Sequence, residues 1–132
     1  MTVIATDTAR FSNLVKHELW PETGFCRKEV TVNEAAAKTY AVGTVLGKVT
    51  ADGKYKIAVQ TAVDGSQTAA AIVINDHSIA ATTDTKIVVL IKGPAEVSKG
   101  AIVLDASYDT VAEKDVVYAS LETLGINVLT TN

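Results

Sequence analysis

The chain is expected to fold as a mainly β or α+β domain of about seven short strands, with one C-terminal helix and an extended N-terminal arm. Three observations lead there. Apolar runs of four to six residues recur between turn signals, including Asp52-Gly53 and Asp64-Gly65. The period then lengthens to that of a helix after Thr110. Both phenylalanines and the only tryptophan, Phe11, Trp20 and Phe25, lie in the first 25 residues, while the remaining body is built from Ala, Val, Ile, Leu and Thr.

Residues 1–10 carry no pattern and are expected to be unstructured when free. Phe11, Leu14, Val15 and Leu19 are spaced as on one helix face, Thr8 is placed to cap it, and Pro21 blocks its continuation. A helix this short is marginal in water, so helix and strand both remain open, and either form needs a surface to lie on, that of a partner or the open end of the chain's own domain. Cys26, Lys28, Val30 and Val32 alternate with polar neighbours and predict a first strand. Tyr40–Thr50 is read as one strand, residues 51–54 as a turn, and Tyr55–Gln60 as the return, because Asp-Gly between alternating runs is a strong hairpin signal.

The unbroken run Ala69–Ile74 predicts a strand buried on both sides. Residues 75–83 read as a polar connection, and Lys86–Lys92 as a second interior strand stopped by Gly93-Pro94. Short strands are expected at Ala95–Val97 and Ala101–Leu104. Thr110 with Glu113 forms a capping box; Val111, Val117, Leu121 and Leu124 keep helical spacing, and Gly125 stands where a helix end favours a left-handed residue. Ile126, Val128 and Leu129 predict a last strand. The division is an arm over 1–24 and a β-rich domain over 25–132.

At 132 residues the chain fits one domain and can bury a real core. Hydrophobic residues make up 48% and mean hydropathy is +0.23, and a surface rich in Ala and Val suits flat contacts between subunits. A net charge of −3 lacks the basic footprint that phosphate backbones require, so no nucleic acid partner is expected. The longest apolar runs are too short to cross a bilayer, and residues 1–20 lack a signal-peptide pattern. Hence no membrane partner is expected, and a soluble, unsecreted protein is. The single cysteine allows no internal disulfide and is compatible with a reducing cytoplasm.

Chemistry is hard to find. Gly43–Thr50 superficially matches a phosphate loop, but only three residues separate Gly43 from Gly47 and Val49 follows Lys48 where Ser or Thr is needed. Those glycines are better read as a bulge or a close backbone approach. His77 stands near Asp76 and Asp84, yet a metal site wants three or four ligands and a nucleophilic site a partnered Ser or Cys. Cys26 reads as a buried thiol, and Lys54, without the Met-Lys-Met setting of carrier domains, as a turn lysine. The remaining carboxylates are scattered over turns and caps. No catalytic residue, cofactor or metal is expected, and the chain is not expected to be an enzyme.

Tyr40–Thr50 with its Asp52-Gly53 hairpin, then Asp64-Gly65, Ala69–Ile74, Ile87–Ile91, Lys92-Gly93, Glu96-Val97 and Leu121…Leu124-Gly125-Ile126 follow an order that resembles bacteriophage head decoration proteins of the lambda D type. These are also called capsid-stabilising or cement proteins. The resemblance covers roughly residues 25–129 and rests on spacing rather than on one motif. It implies a structural virion protein made in the host cytoplasm. It also implies a homotrimer at threefold and quasi-threefold sites on the capsid outer surface, between hexamers of the major capsid protein, that binds after expansion and stabilises the shell. In that picture the arm, through Phe11, Leu14, Val15, Leu19, Trp20 and Phe25, docks on the capsid protein. Each large side chain would gain about 1.5–3 kcal/mol on full burial against an ordering cost of order 1 kcal/mol per residue, and three arms per trimer would add avidity of about 10²–10⁴. The alternatives are another phage structural module, such as a tail or fibre component, and a small ligand-binding β-barrel using His77.

Overall fold

The computed structural model describes residues 14–19, 24 and 26–129. They form ten strands: β1 (Val15–Glu18), β2 (Arg27–Val32), β3 (Lys38–Tyr40), β4 (Val45–Lys48), β5 (Tyr55–Ile57), β6 (Ala69–Val73), β7 (His77–Ile79), β8 (Thr85–Leu90), β9 (Ala95–Ser98) and β10 (Ile126–Leu129). A C-terminal helix, α1 (Val111–Thr123), precedes β10. Strands β2-β5-β4-β6-β8 close into a barrel, β1-β9-β10 make a separate three-stranded sheet, and β3 pairs with β7. The β-rich class with its C-terminal helix is as expected.

The apolar run of β6 is explained by its position. Ala71 and Val73 face the barrel interior with Val30, Val32, Tyr40, Leu46, Ile87 and Val89. Ile72 and Ile74 face a second core with Val45, Leu90, Val117, Leu121 and Ile126, so the strand has no solvent face to mark with polar residues. The hairpin over residues 51–54 forms as read, with the Val49 N–H donating to the Lys54 carbonyl at 2.8 Å and Asp52 Oδ1 accepting from the Lys54 N–H at 2.9 Å. The capping box also forms: Thr110 Oγ1 accepts from the Glu113 N–H at 3.2 Å and Glu113 Oε1 from the Thr110 N–H at 3.2 Å. Gly125 ends the helix in the left-handed region at φ +86°.

Several expectations need correcting. The span Tyr40–Thr50 is two strands, not one. Gly43 turns the chain at φ +99°, Thr44 N–H bonds back to the Ala41 carbonyl, and Asp76 Oδ1 takes the Val42 N–H at 3.0 Å, so β3 leaves for β7 while β4 enters the barrel. The polar connection at 75–83 contains β7, whose Ile79 is buried beside Tyr40; three residues are too few to carry a readable period. Ala101–Leu104 is not a strand. A 3-10 turn spans Lys99–Ala101, and Val103 makes only an isolated bridge to Thr44. Within α1, Val117 and Leu121 are buried as spaced, but Val111 is 75% exposed, because a separation of six residues turns it well away from the helix face that Val117 buries.

The turn after β5 is held by charge. The Asp64 carboxylate meets Lys56 Nζ at 2.8 Å and accepts the Ser66 N–H at 3.0 Å. The lysine first, and the Ser66 donors next, hold its carboxyl far below the usual range. A depressed folded-state pKa adds stability above the unfolded value, near 3.9, that is lost as pH falls through the folded one. Asp84, hydrogen-bonded by Asn33 and paired with Lys54, is lowered too. Urea midpoints are therefore expected to hold through neutral pH and fall below about pH 4, and Asp64→Asn is expected to flatten that acid limb. An unchanged limb in the variant would remove Asp64 from the account.

Candidate functional site

The arm side chains expected to meet a partner divide into two groups. Phe11, Trp20 and Phe25 lie outside the described residues. Leu14 and Val15 are buried in the chain's own second core, and Leu19 packs partly buried against it. Residues 15–18, assigned to the arm by sequence, are strand β1, antiparallel to β9 with Val15 opposite Val97 and Glu18 opposite Ala95. The open choice between helix and strand for this stretch is thereby settled as strand for β1.

The end of β1 is clamped from three sides. Glu18 is buried, and its carboxylate takes Arg27 Nε at 3.1 Å and pairs through its other oxygen with Arg27 Nη2. This is a two-pronged contact of the kind a guanidinium fork makes with a carboxylate. The buried Cys26 thiol donates to the carbonyls of Leu19 and Pro94 at 3.7 and 3.6 Å. The Leu19 N–H donates to the Pro94 carbonyl at 2.9 Å. A load on the chain before β1 is thus passed into both the β1-β9-β10 sheet and the first barrel strand. Sequence reading missed this ion pair, because Glu18 and Arg27 flank a proline and carry no motif.

The sites that sequence reading weighed and set aside are now placed. In the glycine segment, a Cβ on Gly47 would lie 1.9 Å from the Ser66 carbonyl oxygen, and one on Gly43 would lie 2.1 Å from that of Ala101. Gly47 also sits at the register shift between β4 and β6. Both glycines therefore serve close backbone approach, and the segment enters a strand rather than a helix. His77 stands in β7 opposite Tyr40. Asp76 is taken up by Val42 and Asp84 by Asn33 and Lys54, so neither forms a pair with His77. Among the described residues no three His, Cys, Asp or Glu side chains come together as a metal site, and no helix is long and apolar enough to cross a membrane.

One buried polar contact was not anticipated. Glu34, at the barrel mouth, accepts from the Tyr40 hydroxyl and from the Ile57 N–H at 2.7 Å. Burial first, and the Glu34 contact second, push the Tyr40 hydroxyl well above the usual tyrosine range. This joins β3, β5 and the chain after β2, and reads as a structural strut.

Outside these clamps, two surfaces stand out. The outer side of α1 exposes Val111 and Val116 beside Asp115 and Glu122. Across the barrel, a groove of about 340 Å³ runs over β2, β5 and β4, lined by Lys28, Lys48 and Lys54 together with Glu29, Asp52 and Asp84, so its charges balance. Strands β2 and β5 meet there through a single register pair, Val32 with Tyr55.

Set against known proteins, residues 5–126 match the family model described as bacteriophage lambda head decoration protein D. No curated protein matches the chain.

Proposed function

The chain belongs to the bacteriophage lambda head decoration protein D family, and on that premise we propose that it works as a non-catalytic homotrimer clamping the expanded shell. Membership makes it a decoration protein of the phage head, associated with the virion capsid. The finer reading is that trimers sit at threefold and quasi-threefold positions on the outer surface, between hexamers of the major capsid protein, and hold the shell once it has expanded. The match across 5–126 carries this reading, since it takes in every strand from β1 to β9 and part of the segment before β1.

The root of the arm supports it. With Leu14 and Val15 spent on the chain's own core, the side chains left for a grip are Phe11, together with Trp20 and Phe25. Among the described residues strand β1 pairs with one neighbour only, so its other edge is placed to accept an extended strand from the shell protein. Each arm grips weakly on its own, and three on one trimer make release improbable.

The test mixes expanded heads with full-length protein and with a variant lacking residues 1–13, a cut that spares Leu14. Full-length protein is expected to give density at threefold positions by electron cryo-microscopy. The truncated protein, folded by circular dichroism, is expected to bind about a hundredfold more weakly in cosedimentation. Equal binding would remove the arm from the mechanism, and density elsewhere would remove the threefold assignment.

A further inference from the structure

Two Asp-Gly pairs serve this fold as turns, Asp52-Gly53 and Asp64-Gly65, and the surrounding residues hold them very differently. Such a pair is chemically labile, because glycine has no side chain to shield its nitrogen from the carboxyl group of the aspartate before it. Its fate depends on whether the backbone can swing that nitrogen onto the side-chain carbon. Asp64-Gly65 is held on every side. Its carboxylate meets Lys56 Nζ at 2.8 Å and accepts from both the N–H and the hydroxyl of Ser66. The Asp64 carbonyl takes the Thr50 N–H at 2.9 Å, and Gln67 Oε1 takes the Gly65 N–H at 2.9 Å. Space is closed as well: a Cβ built on Gly65 would lie 2.2 Å from Thr50 Oγ1 and 2.9 Å from the Lys48 carbonyl oxygen. Lys56 and Ser66 also keep this carboxyl ionised, and an anion with no hydroxyl to lose is a poor electrophile.

Asp52-Gly53 has none of these restraints. It stands at the tip of the β4–β5 hairpin, where residues 51–53 are all exposed. Among the described residues its carboxylate forms no ion pair and accepts the Lys54 N–H at 2.9 Å, and no backbone donor holds the Asp52 carbonyl. A Cβ built on Gly53 would meet the far end of one flexible side chain, Lys48 Cε, at 3.7 Å. The Gly53 N–H donates to the Val49 carbonyl at 2.9 Å, a bond at the hairpin end, where local opening costs least.

We propose that Asp52, and not Asp64, is a site of spontaneous backbone isomerisation in the folded protein. The Gly53 nitrogen attacks Cγ of Asp52 in its acid form. A C–N bond forms, the bond from Cγ to its hydroxyl breaks, and the hydroxyl leaves with the amide proton as water. Water then adds back to the five-membered succinimide. Addition at Cγ restores aspartate, whereas addition at the main-chain carbonyl carbon gives isoaspartate, so the mass returns to its starting value. Isoaspartate routes the backbone through Cβ and Cγ, one atom longer than before, and displaces the acceptor that holds the Lys54 N–H. The hairpin borders the seam where β2 and β5 share a single register pair, so the change falls where the barrel has least pairing to spare. A virion protein is not renewed after assembly, and the modified form accumulates with the age of the particle.

The full chain, kept for weeks at physiological temperature and neutral pH, provides the test. Isoaspartate is read by labelling with an isoaspartyl methyltransferase and placed by peptide mapping with electron-transfer dissociation. It is expected to build up at residue 52 at least about tenfold faster than at residue 64, since Asp64 must first give up charged hydrogen bonds. Asp52→Glu, whose longer side chain does not close a five-membered ring, is expected to remove most of the label. In chain unfolded by urea the two sites are expected to react alike. A folded chain without isoaspartate at residue 52, or with as much at residue 64, overturns the proposal, as does a label that survives Asp52→Glu. A difference that persists in urea also overturns it, because flanking sequence and not the fold would then set the choice.

Discussion

Replacing Gly47 with alanine is expected to lower stability by about 3 kcal/mol or more, because the new methyl has nowhere to go. Its Cβ would meet the Ser66 carbonyl oxygen at 1.9 Å, the carbonyl carbon at 2.5 Å and Cα at 2.6 Å. All three are backbone atoms, so no rotamer change relieves the overlap. The turn that carries Ser66 is fixed in its own right. The Thr50 N–H donates to the Asp64 carbonyl at 2.9 Å, Lys56 holds the Asp64 carboxylate, and Ser66 is fully buried. Relief must come from opening the β4–β6 bulge, which lies in the barrel wall. A chain of this size should lose roughly 10 °C in Tm. Calorimetry showing a shift of only a degree or two would mean that the turn yields freely and that this approach is not a constraint.

A comparable loss, about 2–4 kcal/mol, is expected for Arg27→Met. Glu18 has a side chain only 3% exposed, and Arg27 supplies both prongs of its contact. Removing one partner of a buried pair leaves a charge with neither water nor counterion, which costs about 3–5 kcal/mol at fully buried sites. The Arg27 side chain is 29% exposed, so some water reaches the abandoned carboxylate and the figure is set lower. The double variant E18Q/R27M should recover most of the loss, since replacing both members removes the stranded charge. Chemical denaturation of the set reads this directly. A double variant no better than R27M would show that the pair acts through packing and not through charge. Because the contact ties β1 to β2, R27M should also weaken binding to heads even where the protein remains folded.

What could be read from the residues, and what could not, follows the range of the forces involved. The Asp52-Gly53 hairpin, the Thr110–Glu113 capping box and the Gly125 helix end are fixed by groups within four residues of each other, and each formed as read. Ala69–Ile74 announced a strand buried on both faces because its composition leaves no polar side. The split at Gly43 escaped notice, since it is made by an Asp76 carboxylate more than thirty residues on and by the nearby Ala101 backbone. Val111 was misplaced for a different reason: it stands six residues from Val117, a spacing that does not bring two side chains to one helix face. Of the six side chains assigned to the arm's grip, Leu14 and Val15 turned inward, because β9 offered β1 an unpaired edge that no local pattern reveals.

By itself, the amino-acid sequence determined that this is a small acidic β-rich chain with a C-terminal helix and with its largest aromatic residues near the start. Its family followed as well, from the order of small apolar runs and glycines. Only the tertiary structure decided that Leu14 and Val15 join the core and that Glu18 is locked to Arg27. It also decided that the glycines after Tyr40 make room for backbone, and that α1 turns Val111, Val116 and Asp115 outward. Hydrophobic period and turn chemistry act over a few residues and are written in the chain. Pairing between strands, close approach of backbones and the meeting of distant charges exist only once the barrel has closed.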